Sequence, residues 1–287
     1  MAHLARLALA LFTLLLLGNT PDDGSYVYLP IVRSTQAIPQ IGGAGVFHEQ
    51  DCQGLGLAIG QNWITRRAYV PDCAVFIPNV SCTVRRYGDY RNGRLQLQEA
   101  AVNLPPNYSG YLLFLNEPLY TGQCNIDPYN AALLYWQTVE QYPNACISSP
   151  NFSHLAVLKY GDNIDQYIQA IADNAPDGVA FEGFCFWAVH NYHAPNPQLI
   201  YDLLTTKMGQ WGDGDKPIWV TEYGVAQQGD TYNMMRATLC NPRIVTAWWY
   251  APVGDYDTSL RDKNGLTPLG QSYLIVMSLY NRGLLCL

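Results

Sequence analysis

The amino-acid sequence predicts an α/β protein, a single (β/α)8 TIM barrel over residues 41–287. From residue 41 onward, short apolar runs rich in β-branched and aromatic residues alternate with segments of helical period, which is typical of repeated β-α units. The length of this region is close to the roughly 250 residues of a typical barrel. Hydrophobic residues make up 49% of the chain, enough for a large core, and no linker divides it into two domains.

Apolar segments with strand character occur eight times along this region. In chain order the predicted strands are residues 45–47, 63–70, 74–80, 111–116, 145–148, 179–190, 217–222 and 244–250. Three helices are predicted at residues 127–141, 162–174 and 268–282, the first two because apolar residues recur on one face.

The chain begins with a pattern typical of a secretory signal peptide. The first six residues include a basic residue, and an apolar run follows at residues 7–17, which only Thr13 interrupts. As a helix this run would rise about 16 Å, roughly half the thickness of the hydrocarbon layer. We therefore predict a signal peptide over residues 1–20, a leader segment over residues 21–40, and an exported, extracellular protein with no membrane contact beyond the signal segment.

Charge and aromatic content narrow the class of partner. The formal net charge is -7 and only 14% of residues are charged, so the chain lacks the basic surface that nucleic acid requires. The chain also contains 21 Tyr, 7 Trp and 8 Phe. Aromatic rings stack on the CH faces of sugars, although many of them could equally cover the outside of a barrel. We expect a monomer whose partner is a polysaccharide or an oligosaccharide.

Eight cysteines in an exported chain predict disulfide bonds. Eight cysteines allow 105 fully paired connectivities, and the sequence does not choose among them. Cys73–Cys82 and Cys124–Cys146 are candidates because they close short loops. Cys185 is the expected free thiol, because it lies within a predicted strand on the face opposite His190.

No cofactor or metal is predicted. The sequence has no Cys-x-x-Cys motif, and His190 and His193 are three residues apart at a predicted strand end rather than at a ligand spacing. The glycines of residues 42–45 precede a strand and not a helix, so they make a poor phosphate site.

Two glutamates lie at the carboxyl ends of predicted strands. Glu117 directly follows the strand predicted at residues 111–116, and Glu222 is the last residue of the strand predicted at residues 217–222. Active sites of barrel enzymes form at the carboxyl ends of the strands. A side-chain period of two places Glu117 in one row with Leu115 and Glu222 in one row with Val220, and we expect both rows to face the barrel interior.

Two carboxylates over one pocket are what glycosidic bond cleavage requires. One must protonate the departing oxygen while the other attacks or supports the sugar carbon. A single glutamate at a strand end is usually a surface residue or a neighbour of a helix cap. Two of them, each after a β-rich run and each with a polar companion, favour the catalytic interpretation.

The motifs around both glutamates resemble those of clan A glycoside hydrolases. LNEP at residues 115–118 and WVTEYG at residues 219–224 are similar to the fourth- and seventh-strand motifs of that clan, whose members are retaining enzymes. The resemblance implies Glu117 as the general acid/base, Glu222 as the nucleophile and Asn116 as a contact to the sugar 2-hydroxyl. Because two nearby carboxylates repel, we expect Glu117 to hold its proton to higher pH.

Within the clan, three further segments resemble the small β-1,3-glucanase family numbered 128. These segments are FIP at residues 76–78, AVHNY at residues 188–192 and NGLTPLG at residues 264–270. Two features depart from that family, since Leu119 replaces its usual Asp and Asn62-Trp63 only partly matches its first-strand signature. The resemblance implies a secreted hydrolase of a β-linked glucan, with β-1,3-glucan as the candidate.

Further substrate-binding residues are predicted at two other strand ends. One or both of His190 and Tyr192 are expected to point into the cleft, where a hydrogen bond from them would hold Glu222 ionised. Trp248 and Trp249 alternate in direction, so at most one of them can stack under a sugar, and Trp248 is preferred.

Two alternatives belong to other classes. The first is a carbohydrate-binding barrel without catalytic activity, which the Leu119 departure and the many aromatics favour and the presence of both glutamates opposes. The second is a metal- or phosphate-dependent barrel enzyme, which would require clustered His/Asp ligands or a glycine-rich loop before a late helix.

Overall fold

A computed structural model describes residues 40–44, 49–55, 57–61, 74–80, 104–105, 107–120, 123–250, 252 and 257–287. The predicted signal peptide and nearly all of the predicted leader lie outside the described residues. So do the predicted strands at 45–47 and 63–70, and the candidate pair Cys73–Cys82.

The described strands form one curled parallel sheet of the α/β class. They are β1 Gln40–Ala44, β2 Ile59–Gln61, β3 Val75–Phe76, β4 Asn79–Val80, β5 Tyr111–Asn116, β6 Cys146–Ser153, β7 Trp187–Asn191, β8 Ile218–Tyr223 and β9 Ile244–Tyr250. Their order in the sheet is β3-β2-β1-β9-β8-β7-β6-β5-β4, and each neighbouring pair is parallel. Parallel order brings the carboxyl ends of all strands to the same edge.

Both ends of this strand order lie in one short segment. β3 pairs with β2 and β4 pairs with β5, and only Ile77 and Pro78 separate β3 from β4. Proline has no N–H to give to a ladder, which explains the interruption. The carbonyl of Pro78 still accepts a hydrogen bond from the backbone N–H of Leu113 at 3.0 Å.

Helices follow most of the strands. They are α1 Glu49–Gly54, α2 Pro128–Gln141, α3 His154–Lys159, α4 Gly161–Asp173, α5 Pro197–Gln210, α6 Thr231–Leu239 and α7 Pro268–Asn281. Three of the longest begin with a proline after a capping side chain, from Asp127, Asn196 and Thr267, which accepts a backbone N–H of the first turn. Among the described residues, no helix combines the length and the apolar content that crossing a membrane would need.

Buried side chains lie on both faces of the sheet. The helix-side core contains Ile218 and Val220 of β8 together with residues of the covering helices. The other face carries aromatic rings in contact: the ring centroids of Phe186 and Trp219 are 4.2 Å apart, and Trp248 lies 5.9 Å from Trp219. These rings fill the concave side of the sheet below the carboxyl ends of the strands.

Two strands differ from their predicted ranges for identifiable reasons. β6 continues beyond residue 148 to Ser153, although its second half is largely polar. β7 begins only at Trp187, whereas a strand was predicted from residue 179. Phe184 instead packs against Tyr135 of α2, and Gly183 has a left-handed φ of +88° directly beside Asp213.

The prediction that the chain contains disulfide bonds is confirmed, but the predicted partners were wrong where the structure tests them. Cys146 pairs with Cys185, and Cys240 pairs with Cys286. Cys185 is therefore not a free thiol, and Cys146 does not pair with Cys124, although Cys124 is disulfide-bonded. The physical reason is the parallel sheet: Cys146 begins β6 and Cys185 lies two residues before β7, so the amino ends of these neighbouring strands meet.

The Cys240–Cys286 bond anchors the end of the chain, and its removal is expected to destabilise the protein. It closes a loop of 46 residues. The chain-entropy model assigns such a loop about 4 kcal/mol. The double variant Cys240→Ser/Cys286→Ser should lose about this free energy of unfolding in a denaturant titration. Cys146→Ser/Cys185→Ser, which opens a loop of similar length, should lose a similar amount. An unchanged unfolding midpoint in either variant would contradict the assignment.

Candidate active site

The strand that carries Glu117 leaves regular geometry just before its end. Leu115 and Glu117 have left-handed φ values of 58° and 47°, and the register with β6 shifts on both sides of Phe114. Leu115 consequently packs in the helix-side core. The predicted inward row through Leu115 was therefore wrong, and Glu117 reaches the carboxyl edge of the sheet through a backbone turn.

A second irregularity places Glu222. The register between β7 and β8 shifts after Val189, so that His190 is paired with Glu222. Val220 packs in the helix-side core, and the predicted row through Val220 was also wrong. Such bulges re-aim a side chain, and here Glu222 lies beside His190 with only 5% of its surface exposed.

His190 connects the two carboxylates. Its Nδ1 lies 2.9 Å from Oε1 of Glu117 and 3.4 Å from Oε2 of Glu222, and its side chain is fully buried. Because both contacts share Nδ1, these two carboxylate oxygens are at most 6.3 Å apart, the sum of 2.9 Å and 3.4 Å. The structure thus brings together three of the residues that the sequence predicted.

Tyr192 also contacts Glu222. Its hydroxyl donates a hydrogen bond to Oε2 of Glu222 at 2.7 Å. Burial and the negative charge of Glu222 raise the pKa of Tyr192 well above its usual range. The phenol therefore stays protonated and remains a donor. Its ring also contacts Tyr250 edge to face, with ring centroids 5.6 Å apart.

The histidine and the carboxylates shift each other's titration. Burial would lower the pKa of His190, but the charge of Glu222 and the hydrogen bond to Glu117 outweigh burial and raise it. Burial would raise the pKa of Glu117, but the hydrogen bond and charge of His190 outweigh burial and lower it. The expectation that Glu117 holds its proton to higher pH was therefore wrong, because His190 stabilises the ionised carboxylate.

Asn116 lies at the same strand end. Its Nδ2 donates to Oε1 of Gln123 at 3.3 Å, while its Oδ1 is buried and accepts no hydrogen bond from the described residues. A buried acceptor of this kind is suited to a hydroxyl donor from a ligand.

Both predicted tryptophans are fully buried. Trp248 packs against Trp219, and its Nε1 donates to Thr246. Trp249 packs against Tyr273 on the helix side. Neither ring offers a face to a sugar, so their prediction as substrate-binding residues was wrong. Alternation along β9 was applied correctly, but the depth of Trp248 in the sheet could not be known.

Four residues of this region were missed by the sequence interpretation. Tyr250, at the carboxyl end of β9, is half-buried beside Tyr192. His154 and His193 stack with ring centroids 6.2 Å apart, and His154 also contacts Tyr192. Asn151 is fully buried on β6. The predicted strand ended at residue 148, so Asn151 was not recognised as a polar residue inside a strand, which was the signal that could have identified it.

Within the part of the chain that the structure describes, no group of three or more His, Cys, Asp or Glu side chains could hold a metal ion.

A curled parallel sheet with two carboxylates at the carboxyl ends of its strands is an arrangement typical of glycoside hydrolases. The family described as the glycosyl hydrolase catalytic core matches residues 79–273, more than half of the chain. The protein belongs to this family. No curated protein matches the sequence.

Solved structures of glycoside hydrolase family 128 share the fold. An endo-β-1,3-glucanase (subgroup I) from Amycolatopsis mediterranei, in complex with laminaritriose, superposes with a TM-score of 0.61 at 18% identity over 83% of this chain and 99% of that chain. A curdlan-specific exo-β-1,3-glucanase (subgroup III) from Blastomyces gilchristii gives 0.57 at 20% identity over 82% and 97%. An oligosaccharide-binding protein (subgroup VII) from Cryptococcus neoformans gives 0.61 at 18% identity over 91% and 99%. The resemblance to family 128 is thus confirmed for the fold.

Replacement of His190 is expected to reverse the pKa shift of Glu117. In His190→Phe the positive charge and the donor are lost while ring volume is kept, so burial dominates and the pKa of Glu117 should rise above its ordinary value of 4.5. Carboxyl 13C NMR titration measures this shift. His193→Phe, which removes a histidine that stacks on His154 instead, should leave the pKa of Glu117 below 4.5.

The stability difference between the parent and His190→Phe should depend on pH. The lowered pKa of Glu117 contributes stability above pH 4.5 that is lost as pH falls through the folded-state value. The raised pKa of His190 contributes stability below pH 6.5 that is lost as pH rises through its folded-state value. The difference in unfolding free energy should therefore be largest between these two pH values. A pH-independent difference would contradict the ion pair.

Proposed function

We propose that the protein is a secreted retaining glycoside hydrolase that cleaves a β-linked glucan, with β-1,3-glucan as the first candidate substrate. Glu117 is the general acid/base and Glu222 is the nucleophile. The observation that carries the proposal is the shared contact with His190, which limits the oxygen-to-oxygen distance to 6.3 Å, the sum of 2.9 Å and 3.4 Å. Retaining enzymes place their carboxyl groups about 5–5.5 Å apart, and inverting enzymes about 6.5–9.5 Å apart.

The contacts of Glu222 suit a nucleophile. The Tyr192 hydroxyl donates to Oε2 of Glu222, which stabilises the carboxylate as an anion before attack. In the first step a Glu222 oxygen forms a bond to the anomeric carbon as the bond to the leaving oxygen breaks. In the second step water displaces Glu222 from the glycosyl ester, and the carboxylate is regenerated.

The Glu117–His190 pair holds the proton for this cycle. At 2.9 Å, the proton between Nδ1 of His190 and Oε1 of Glu117 can move to the carboxylate without leaving the pair. Glu117 then protonates the leaving oxygen in the first step and takes a proton from water in the second. His190 acts here through Glu117, and the two groups titrate as one coupled unit.

Several observations support the proposed substrate and location. The solved relatives include endo- and exo-acting β-1,3-glucanases. At the site, the buried Oδ1 of Asn116 suits a sugar 2-hydroxyl, and Tyr250 offers a half-buried ring. The Cys146–Cys185 and Cys240–Cys286 disulfides support export through the predicted signal peptide.

The proposed catalytic domain spans residues 41–287 and acts as a monomer. We infer that its sheet closes as an eight-stranded barrel, with β3 and β4 as two halves of one strand. The pairing of β3 with β2 and of β4 with β5 supports this closure.

A second candidate is a carbohydrate-binding barrel without catalytic activity. The oligosaccharide-binding protein from Cryptococcus neoformans, which covers 91% of this chain, favours it. The lowered pKa of Glu117 also favours it, because an ionised carboxylate is a poor proton donor. Reducing-sugar release from β-1,3-, β-1,4- and mixed-linkage glucans, xylan and mannan separates the two candidates, since a binding protein releases none.

Substitution of the glutamates is expected to separate their roles. Glu222→Ala should lose turnover, and azide should restore product of inverted configuration. Glu117→Ala should lower turnover of glucan by about 10²–10⁴-fold and spare aryl glycosides with good leaving groups. Glu140→Ala, an exposed glutamate on α2, is the matched control and should keep full activity. Proton NMR of the first product should show retained configuration, and an inverted anomer would exclude the proposed mechanism.

The aromatic rings of β9 are expected to divide into binding and packing roles. Tyr250→Ala should weaken oligosaccharide binding with little change in thermal unfolding, because the ring is half-buried at the strand end. Trp248→Ala should cost about 3–5 kcal/mol of stability, because its ring is fully buried. Tyr129→Ala, an exposed ring on α2, should change neither. Unchanged affinity in Tyr250→Ala would exclude the binding role.

A further inference from the structure

We propose that Asn151 is a positioning residue that, through Thr221, sets the separation of Glu117 and Glu222. The inference rests on the proposed function, in which that separation decides the chemistry. Asn151 lies on β6 and Thr221 on β8, and both side chains are fully buried.

The first half of the argument concerns the strand before Glu117. Nδ2 of Asn151 donates to the carbonyl of Leu115 at 2.5 Å, and the carbonyl of Asn151 accepts the backbone N–H of Glu117 at 3.0 Å. Leu115 and Glu117 are the residues with left-handed φ values of 58° and 47°. Each such conformation costs about 1–3 kcal/mol and persists only where its surroundings enforce it. Asn151 supplies a hydrogen bond on each side of the turn.

The second half concerns the strand that carries Glu222. Oδ1 of Asn151 accepts a hydrogen bond from Oγ1 of Thr221 at 2.9 Å. Thr221 immediately precedes Glu222 and lies where the β7–β8 register shifts. A bond at this point fixes the backbone that aims the Glu222 carboxylate.

The bond between Asn151 and Thr221 joins strands that the backbone ladder does not. In the sheet, β7 lies between β6 and β8, so no backbone hydrogen bond can link Asn151 to Thr221. The two side chains meet over β7. Phe152 pairs with Val189, so the β7 residue beside Asn151 is Ala188, whose side chain is only a methyl group. The carboxamide of Asn151 is therefore bonded to both of the segments that carry the glutamates.

The chemistry requires both ends of that carboxamide. An amide offers a donor for the Leu115 carbonyl and an acceptor for the Thr221 hydroxyl, whereas an ionised aspartate would offer acceptors only. A displacement of 1 Å at reacting groups can cost on the order of 10²-fold in rate. Loss of either bond should therefore reduce turnover more than substrate binding.

Thr221→Val tests the bridge, because it removes the hydroxyl and keeps the shape of the side chain. We expect kcat on the glucan to fall about 10- to 100-fold with little change in KM. Thr221→Ser keeps the hydroxyl and should keep most of kcat. Thr238→Val is the matched control, since Thr238 is an equally buried threonine whose hydroxyl bonds Tyr201 on the helix side. It should lose similar stability and no kcat.

A second readout does not depend on activity. In Thr221→Val the contact between His190 and Glu117 should loosen, so the pKa of Glu117 should rise relative to the parent, as measured by carboxyl 13C NMR. Thr238→Val should leave it unchanged. If the parent hydrolyses no glycan, the proposed function fails while this titration still decides the positioning role. An unchanged Glu117 titration in Thr221→Val, or an equal change in Thr238→Val, would overturn the proposal.

Discussion

The contact of one histidine with two carboxylates inside the protein is the constraint on which the rest of this structure depends. His190 is fully buried, and the side chains of Glu117 and Glu222 are 14% and 6% exposed. Each unpaired charge at such a position would cost several kcal/mol, so none of the three groups can be buried alone. A protonated His190 compensates one of the two negative charges, and the hydroxyl of Tyr192 donates a hydrogen bond to the carboxylate of Glu222. The fold must therefore deliver all four groups to one point.

Regular strands alone would not deliver them. In a strictly alternating strand, a glutamate that points inward shares its face with the residues two positions away. The concave side of the sheet is already filled by rings such as Trp219 and Trp248. The left-handed turn at Leu115 and the register shift after Val189 release the glutamates from that alternation. The packed rings below provide a rigid floor, and the strand ends above it are free to depart from ladder geometry.

The sequence predicted the elements of this arrangement better than its geometry. Glu117 and Glu222 were identified because each terminates an apolar run, a signal that survives small errors in strand boundaries. The turn and the shift that aim them depend on neighbouring strands, which no local pattern encodes. Asn151 was missed for the same reason, since its role exists only between β5 and β8. The prediction that Trp248 stacks under a sugar was wrong for a different reason, because alternation predicts the face of the sheet on which a ring lies but not how deeply it is buried.

The energetic cost of the site bears on the choice between catalysis and binding. A barrel that only binds sugars needs aromatic faces and neutral hydrogen-bonding groups, which exposed or half-buried side chains supply without burying charge. Here a fully buried His190 lies between the buried carboxylate of Glu222 and the half-buried carboxylate of Glu117, and Leu115 and Glu117 keep left-handed φ values. Strained backbone and coupled titratable groups concentrate where chemistry requires fixed geometry and a movable proton. The lowered pKa of Glu117 is compatible with this requirement, because the proton it needs resides 2.9 Å away on the same histidine. The arrangement thus favours an enzyme whose acid is loaded by its neighbour over a binding protein that retains the charges without using them.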